Sequence, residues 1–126
     1  MSAQQHFTSA RVPRTSDVFP HAVVANGFIL VSGTAGFDPA TGQLSERFEE
    51  QAAQAFRNLQ TVLEELGSGL DKVVKTTVFM VAGNDFGALN TVCHDVFPLN
   101  APARSTPQVL PFPGGILISV ECIALE

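Results

Sequence analysis

Charge is what this chain has least of. Only 15% of its 126 residues are Asp, Glu, Lys or Arg, against about 25% in an ordinary soluble domain. The seven Lys and Arg are scattered, and the net charge is −5. Nucleic-acid binding rests on clustered cations that neutralise phosphates, so no nucleic-acid partner is expected. No apolar run reaches the ~18–20 residues that cross a bilayer as a helix, so no membrane partner is expected either. Residues 1–17 lack the apolar core of a signal peptide. The two cysteines, Cys93 and Cys122, stand far apart with no C-x-x-C. Reduced thiols in a cytoplasmic protein are therefore expected, ahead of a disulfide.

Most catalytic signatures are missing as well. His6, His21 and His94 share no ligand spacing, so no metal is expected. "GTAGFDPATG" (33–42) and "GSGLDK" (67–72) carry glycines but neither G-K-[ST] nor G-x-G-x-x-G. They read as turns, not as cofactor loops, and no cofactor is expected. "VSGTAG" (31–36) is not G-x-S-x-G, and no histidine stands in an evident relay with Ser32.

What is present is apolar: 45% of the residues. The length fits one domain over 1–126, long enough to bury about two-thirds of its unfolded surface. So few charges would leave a monomer poorly covered. The shortage points to subunit interfaces, whose cores are depleted in charge.

"HAVVANGFILVSG" (21–33) reads as a β-hairpin turning at Asn26-Gly27. Residues 1–17 are polar and mixed, with room for a short strand and a loop, and 37–43 form a turn-rich loop. Residues 46–66 are the clearest helix. Phe48, Ala52, Ala55, Leu59, Val62 and Leu66 recur at 4-3-4-3-4, with Phe56 and Leu63 widening the stripe. Ser45 suits its N-cap, Glu46, Glu49 and Glu50 its first turn, and Gly67 its C′ position. "DKVVKTTVFMVA" (71–82) is strand-like. Residues 84–97 form a second helix capped by Asn84 or Asp85, with a stripe of Phe86, Leu89, Val92, Cys93, Val96 and Phe97. Two last strands, 103–110 and 116–125, meet around "PFPGG". The order β-β-β-α-β-α-β-β is an α+β sandwich with two helices on one sheet face. The other face is expected to meet another subunit.

"NAPARSTPQVLPFPGG" (100–115) sets one arginine, Arg104, among small and apolar residues. Alternation puts Arg104, Thr106 and Gln108 on one face, and Leu117, Ser119, Glu121 and Ile123 on one face of the last strand. A hairpin would join Arg104, Thr106, Ser119 and Glu121 into one polar patch. Two readings stand level: an Arg104–Glu121 ion pair, or a guanidinium fork offered to a carboxylate ligand. Asn90 lies within or beside the apolar stripe of the second helix. It is either a tie to neighbouring backbone or the wall of a pocket.

"VSG" (31–33), "NLQTVLEELGSGLDKVVKTTVFM" (58–80), "NDFGALN" (84–90), "PARST" (102–106) and "VECIAL" (120–125) occur together and in order. In these segments the chain resembles the reactive-intermediate (2-iminobutanoate/2-iminopropanoate) deaminase family, also called the YjgF or translation-inhibitor family. The resemblance implies a chorismate-mutase-like fold and a homotrimer with an inner β-barrel, its ligand sites in clefts between subunits. It implies hydrolysis of small 2-imino acids to keto acids and ammonia. By position it makes Arg104 the carboxylate-binding, catalytic arginine. It makes Phe19, Ser32, Gly33, Asn90, Thr106 and Ser119 substrate-binding residues. Phe19 replaces an archetypal tyrosine, and Ser119 replaces a glutamate thought to position or activate water. Glu121 matches a second, separate glutamate, ~6.5–7 Å further along the strand. The alternative reading is a non-catalytic trimer that binds small carboxylates, regulatory or chaperone-like. An endoribonuclease activity is sometimes ascribed to the family; the acidity and the lack of a basic groove count against it.

Overall fold

The computed structural model describes residues 3–126; the first two residues of the 1–17 stretch lie outside them. Strand β1 spans Gln5–Phe7, β2 Ala22–Ala25 and β3 Phe28–Thr34. Helix α1 spans Phe48–Glu65, strand β4 Val73–Val81 and helix α2 Phe86–Val96. Strands β5 (Ala103–Ser105), β6 (Gln108–Val109) and β7 (Ile118–Leu125) follow.

The β2–β3 hairpin turns at Asn26 (φ 53°) and Gly27 (φ 81°). Two successive positive φ values match the twist of the flanking strands, which is why Asn-Gly works there. Helix α1 ends on Leu66, with Gly67 at φ 81°. Gly67 N–H donates to Glu64 O (3.0 Å) and Ser68 N–H to Leu63 O (2.9 Å), so two last-turn carbonyls are satisfied. Asp85 caps α2, accepting from the N–H groups of Gly87 and Ala88. The cap of α1 differs from expectation. Arg47 is the N-cap residue, and Ser45 instead accepts from Arg47 N–H at 3.1 Å.

The strands form one mixed sheet in the order β1-β2-β3-β7-β4-β5, with β6 also on β4. The last strand lies in the middle. Strand β7 pairs antiparallel with both β3 and β4, while β5 and β6 run parallel to β4 on its other edge. The expected hairpin between the last two strands is therefore absent. The reason is the intervening helix: β4-α2-β5 is a crossover, which returns the chain parallel to β4. Strand β7 already occupies β4's remaining edge. Residues 110–117 make a longer connection, bent through Gly114 (φ 73°) and Gly115 (φ 85°).

Both helices cover one face, as the pattern implied. Ala52, Ala55, Leu59, Val62 and Leu63 of α1 pack on Val78, Met80, Ile118, Val120 and Ala124 of the sheet. Phe56 meets Phe97 edge-to-face at 5.9 Å between ring centroids, joining α1 to the end of α2. Two buried amides complete this layer. Gln51 donates to Ser45 O and Gly115 O and accepts from Leu117 N–H, pinning the 110–117 connection to α1. Asn58 donates to Ala35 O and Phe37 O, holding the loop after β3. The opposite sheet face carries Phe28, Leu30, Ile123 and Leu125, each more than a third exposed.

Candidate active site

The site residues fall into two groups. The first lies at the end of β3. A register shift between Val31 and Thr34 breaks the β3–β7 ladder at Ser32 and Gly33, and such bulges re-aim side chains. Ser32 Oγ donates to Pro20 O at 2.8 Å, fastening the segment that carries Phe19. Phe19, Ser32 and Gly33 line one small recess. Gly33 faces Ser119: a Cβ there would lie 2.7 Å from Ser119 Oγ. A side chain at this position would force the Ser119 hydroxyl to move away from the backbone.

The second group lies where α2 meets β5. Arg104 Nη2 donates to Asn90 Oδ1 at 2.7 Å. Asn90 is exposed, and its partner is this guanidinium, which decides against the backbone-tie reading. Arg104 also borders a cleft of about 220 Å³ with Thr76, Cys93, His94, Phe97, Ala101 and Pro102. Burial pushes the Cys93 thiol above its ordinary pKa, while the guanidinium beside it works in the opposite direction. The sequence pattern places Cys93 in the apolar stripe of α2, not among the site residues. Its place four residues before Phe97 and three after Asn90, on one helix face, was the available signal. Thr106 follows β5 directly, where the parallel ladder skips before Gln108.

The polar patch read from the sequence does not form. Arg104 pairs with Thr76, and Thr76 pairs on its other side with Cys122. Glu121 pairs with Thr77. Successive residues of a strand point to opposite faces, so Arg104 belongs to the helix side and Glu121 to the open side. No Arg104–Glu121 ion pair exists among the described residues, where the salt bridges are Arg47–Glu49 and Arg47–Glu50. Ser119 pairs with Phe79 and also belongs to the open side. One protomer therefore keeps its two groups apart. Between β3 and β5 lie β7 and β4, a separation of about 14 Å.

A family model described as Endoribonuclease L-PSP matches residues 9–126. The chain belongs to the L-PSP (YjgF/RutC) family. Within this family, the RutC family protein UK114 of Drosophila melanogaster is 46% identical over 108 residues, covering 85% of this chain and 78% of that protein. The 2-iminobutanoate/2-iminopropanoate deaminase of Rattus norvegicus is 38% identical over 120 residues, covering 94% of this chain and 88% of that protein. Among solved L-PSP structures, RidA from an Antarctic Psychrobacter superposes with a TM-score of 0.91 at 33% identity, covering 97% and 99% of the two chains. The YjgF gene product of E. coli superposes at 0.90 with 28% identity, covering 97% and 98%. The L-PSP fold thus spans nearly the whole chain, and its chorismate-mutase-like α+β class agrees with the two-helix, one-sheet architecture.

Proposed function

We propose that this protein hydrolyses small 2-imino acids to 2-keto acids and ammonia, in clefts between the subunits of a homotrimer with an inner β-barrel. The reading includes residence in the cytoplasm and no bound cofactor. The observation that carries it is the state of Arg104. Its guanidinium is held by one amide at a cleft mouth, with no carboxylate paired to it among the described residues. A planar fork with free N–H donors is what a substrate carboxylate takes up bidentately. The separation of the site residues within one protomer supports the trimer. Ser32 and Gly33 sit about 14 Å from β5 across the sheet, and Ser119 lies on the open side of β7, which supports a neighbouring subunit bringing its copy of that group to Arg104. The exposed apolar residues of that open face motivate the contact.

With the carboxylate held on Arg104, a water oriented by the Ser119 hydroxyl and nearby carbonyls adds to the carbon of the protonated imine. A C–O bond forms, the C=N pair moves to nitrogen, and a proton passes from oxygen to nitrogen. The C–N bond then breaks, releasing ammonia as the C=O forms. No electron leaves the substrate. Positioning alone supplies several kcal/mol of such a barrier. Ser119 is a weak base, so the rate expected is low, short by about 10²–10⁴-fold where an archetype uses general-base help.

Calorimetric titration of Arg104→Ala with pyruvate or 2-oxobutanoate tests the reading. Binding should vanish while the fold persists, and Arg104→Lys should restore little. Unchanged affinity in the folded alanine variant would remove Arg104 from the site. Ser119 itself favours the second reading, a carboxylate-binding trimer without catalysis, since a hydroxyl stands where archetypes carry a carboxylate. Ser119→Glu separates the two. About a tenfold gain or more in hydrolysis of 2-iminopropanoate supports the enzyme; two inert proteins that both bind keto acids support the binder. The seven scattered Lys and Arg and the net charge of −5 offer no groove for RNA.

A further inference from the structure

The cleft beside Arg104 is larger than the substrates named for the relatives require. It holds about 220 Å³ and is walled by Cys93, Phe97, Ala101 and Pro102, with Thr76 and the exposed His94 also lining it. Phe97 is almost fully buried and braced by Phe56, so its wall is rigid. The polar lining residues are Arg104, His94 and Thr76, whereas Cys93, Phe97, Ala101 and Pro102 make an apolar wall that offers little to a polar substituent. Asn90 holds the guanidinium from its own side of the helix, three residues before Cys93.

An imine carbon carries three groups: the carboxylate, the nitrogen and the side chain. The carboxylate goes to Arg104. The nitrogen and the attacking water need polar partners, which the serine-bearing group supplies. The side chain is left, and the apolar recess adjoining Arg104 is there to receive it. A methyl group would leave most of this space empty. An isobutyl, thioether or benzyl group would occupy it and shed its hydration.

We infer that the Cys93–Phe97 cleft is a side-chain pocket that makes the protein prefer 2-imino acids with larger apolar side chains, of the leucine, methionine and phenylalanine type, over 2-iminopropanoate. The inference rests on the imine-binding reading of Arg104. Cys93 is the specificity-determining residue, because its small side chain leaves the recess open.

The imines of leucine, phenylalanine and alanine, generated by an amino-acid oxidase with catalase present, serve as substrates. Binding of 4-methyl-2-oxopentanoate and of pyruvate is titrated in parallel. In the wild type, kcat/KM for the larger imines should exceed that for 2-iminopropanoate by about tenfold or more, and the larger keto acid should bind tighter by a similar factor. Cys93→Phe fills the recess and should bring both ratios close to one. Ala101→Leu, on the exposed wall, does the same test if the phenylalanine variant fails to fold. Equal treatment of large and small ligands by the wild type overturns the inference. So does a preference that survives in a folded, filled variant. Should no imine turn over while the keto-acid preference persists and collapses on filling, the pocket stands and the deaminase reading falls.

Discussion

The helix-covered face of the sheet carries Val78, Met80, Ile118, Val120 and Ala124, all at 0% exposure, whereas the other face carries Phe28, Leu30, Ile123 and Leu125 at 36–45%. The first face is complete within one chain. Its apolar residues are packed under two helices, and its buried amides, Gln51 and Asn58, are fully hydrogen-bonded. The second face mixes apolar residues with Ser119 and Glu121 and has no cover of its own. The first face holds the folding core, and the second is the face that the proposed trimer would use. The candidate site uses both, with Arg104 and Asn90 on the helix side and Ser32, Gly33 and Ser119 toward the open side.

The largest expected effect breaks the open face alone. Leu30→Glu with Ile123→Glu places two charges where another subunit should pack. Light scattering should fall from three times 13.4 kDa to a single mass, and keto-acid binding should disappear, while far-UV circular dichroism stays folded. A double variant that keeps its mass and its binding would uncouple the open face from assembly.

Breaking the covered face should act on stability. Leu59→Ala removes a fully buried side chain from the centre of α1. Urea unfolding should show a loss of about 2–5 kcal/mol, against a change within about 0.5 kcal/mol for an exposed position such as Leu110→Ala. Similar losses at the two positions would contradict the assignment of the core to one face.

A smaller effect is set by pH. Cys122 lies on the covered face of β7, and burial, then the neighbouring Glu121 charge, push its thiol from 9.0 up to about 12. The folded chain thus keeps a proton that the unfolded chain releases. Stability is fully present below about pH 9 and declines as pH rises toward about 12, by up to ~1.4 kcal/mol per pH unit from this one group. Cys122→Val should flatten the difference between urea midpoints measured near pH 8 and near pH 10.5. Parallel declines in the two proteins would assign the alkaline loss to other groups.

The smallest effect concerns α2, which presents Arg104 with its amide. Asp85→Ala removes the cap and should cost about 0.5–2 kcal/mol. Keto-acid affinity should weaken with it as the first turns fray, whereas Asp85→Asn, which keeps a capping oxygen, should do neither.

Much of this molecule was legible in its sequence because the signals are local. The Asn26-Gly27 turn, the stripe of α1, Gly67 at its end and Asp85 at the start of α2 each depend on a few neighbouring residues and a fixed helical or strand period. The two helices on one face follow from those stripes. Gln51 and Asn58, seven residues apart beside the α1 stripe, were legible only as polar residues near an apolar face. Their role depends on carbonyls and amides 21–66 positions away.

By itself, the amino-acid sequence determined most of the elements, the core stripe of α1, the family, and Arg104 and Asn90 as separate candidate site residues. The expected 103–110 strand is two short strands, and Phe86 of the expected α2 stripe is 39% exposed. Only the tertiary structure decided who stands beside whom. The crossover through α2 put β5 on the outer edge of β4, and β7 took the inner edge. That insertion turned an imagined Arg104–Glu121 neighbourhood into two residues on opposite sides of the sheet. Strand order is set by the competition of whole elements for edges and by the hand of the crossover, and no short stretch of the chain encodes it. The same packing left the cleft beside Cys93 open, a volume that exists only once α2, β4 and β5 are in place.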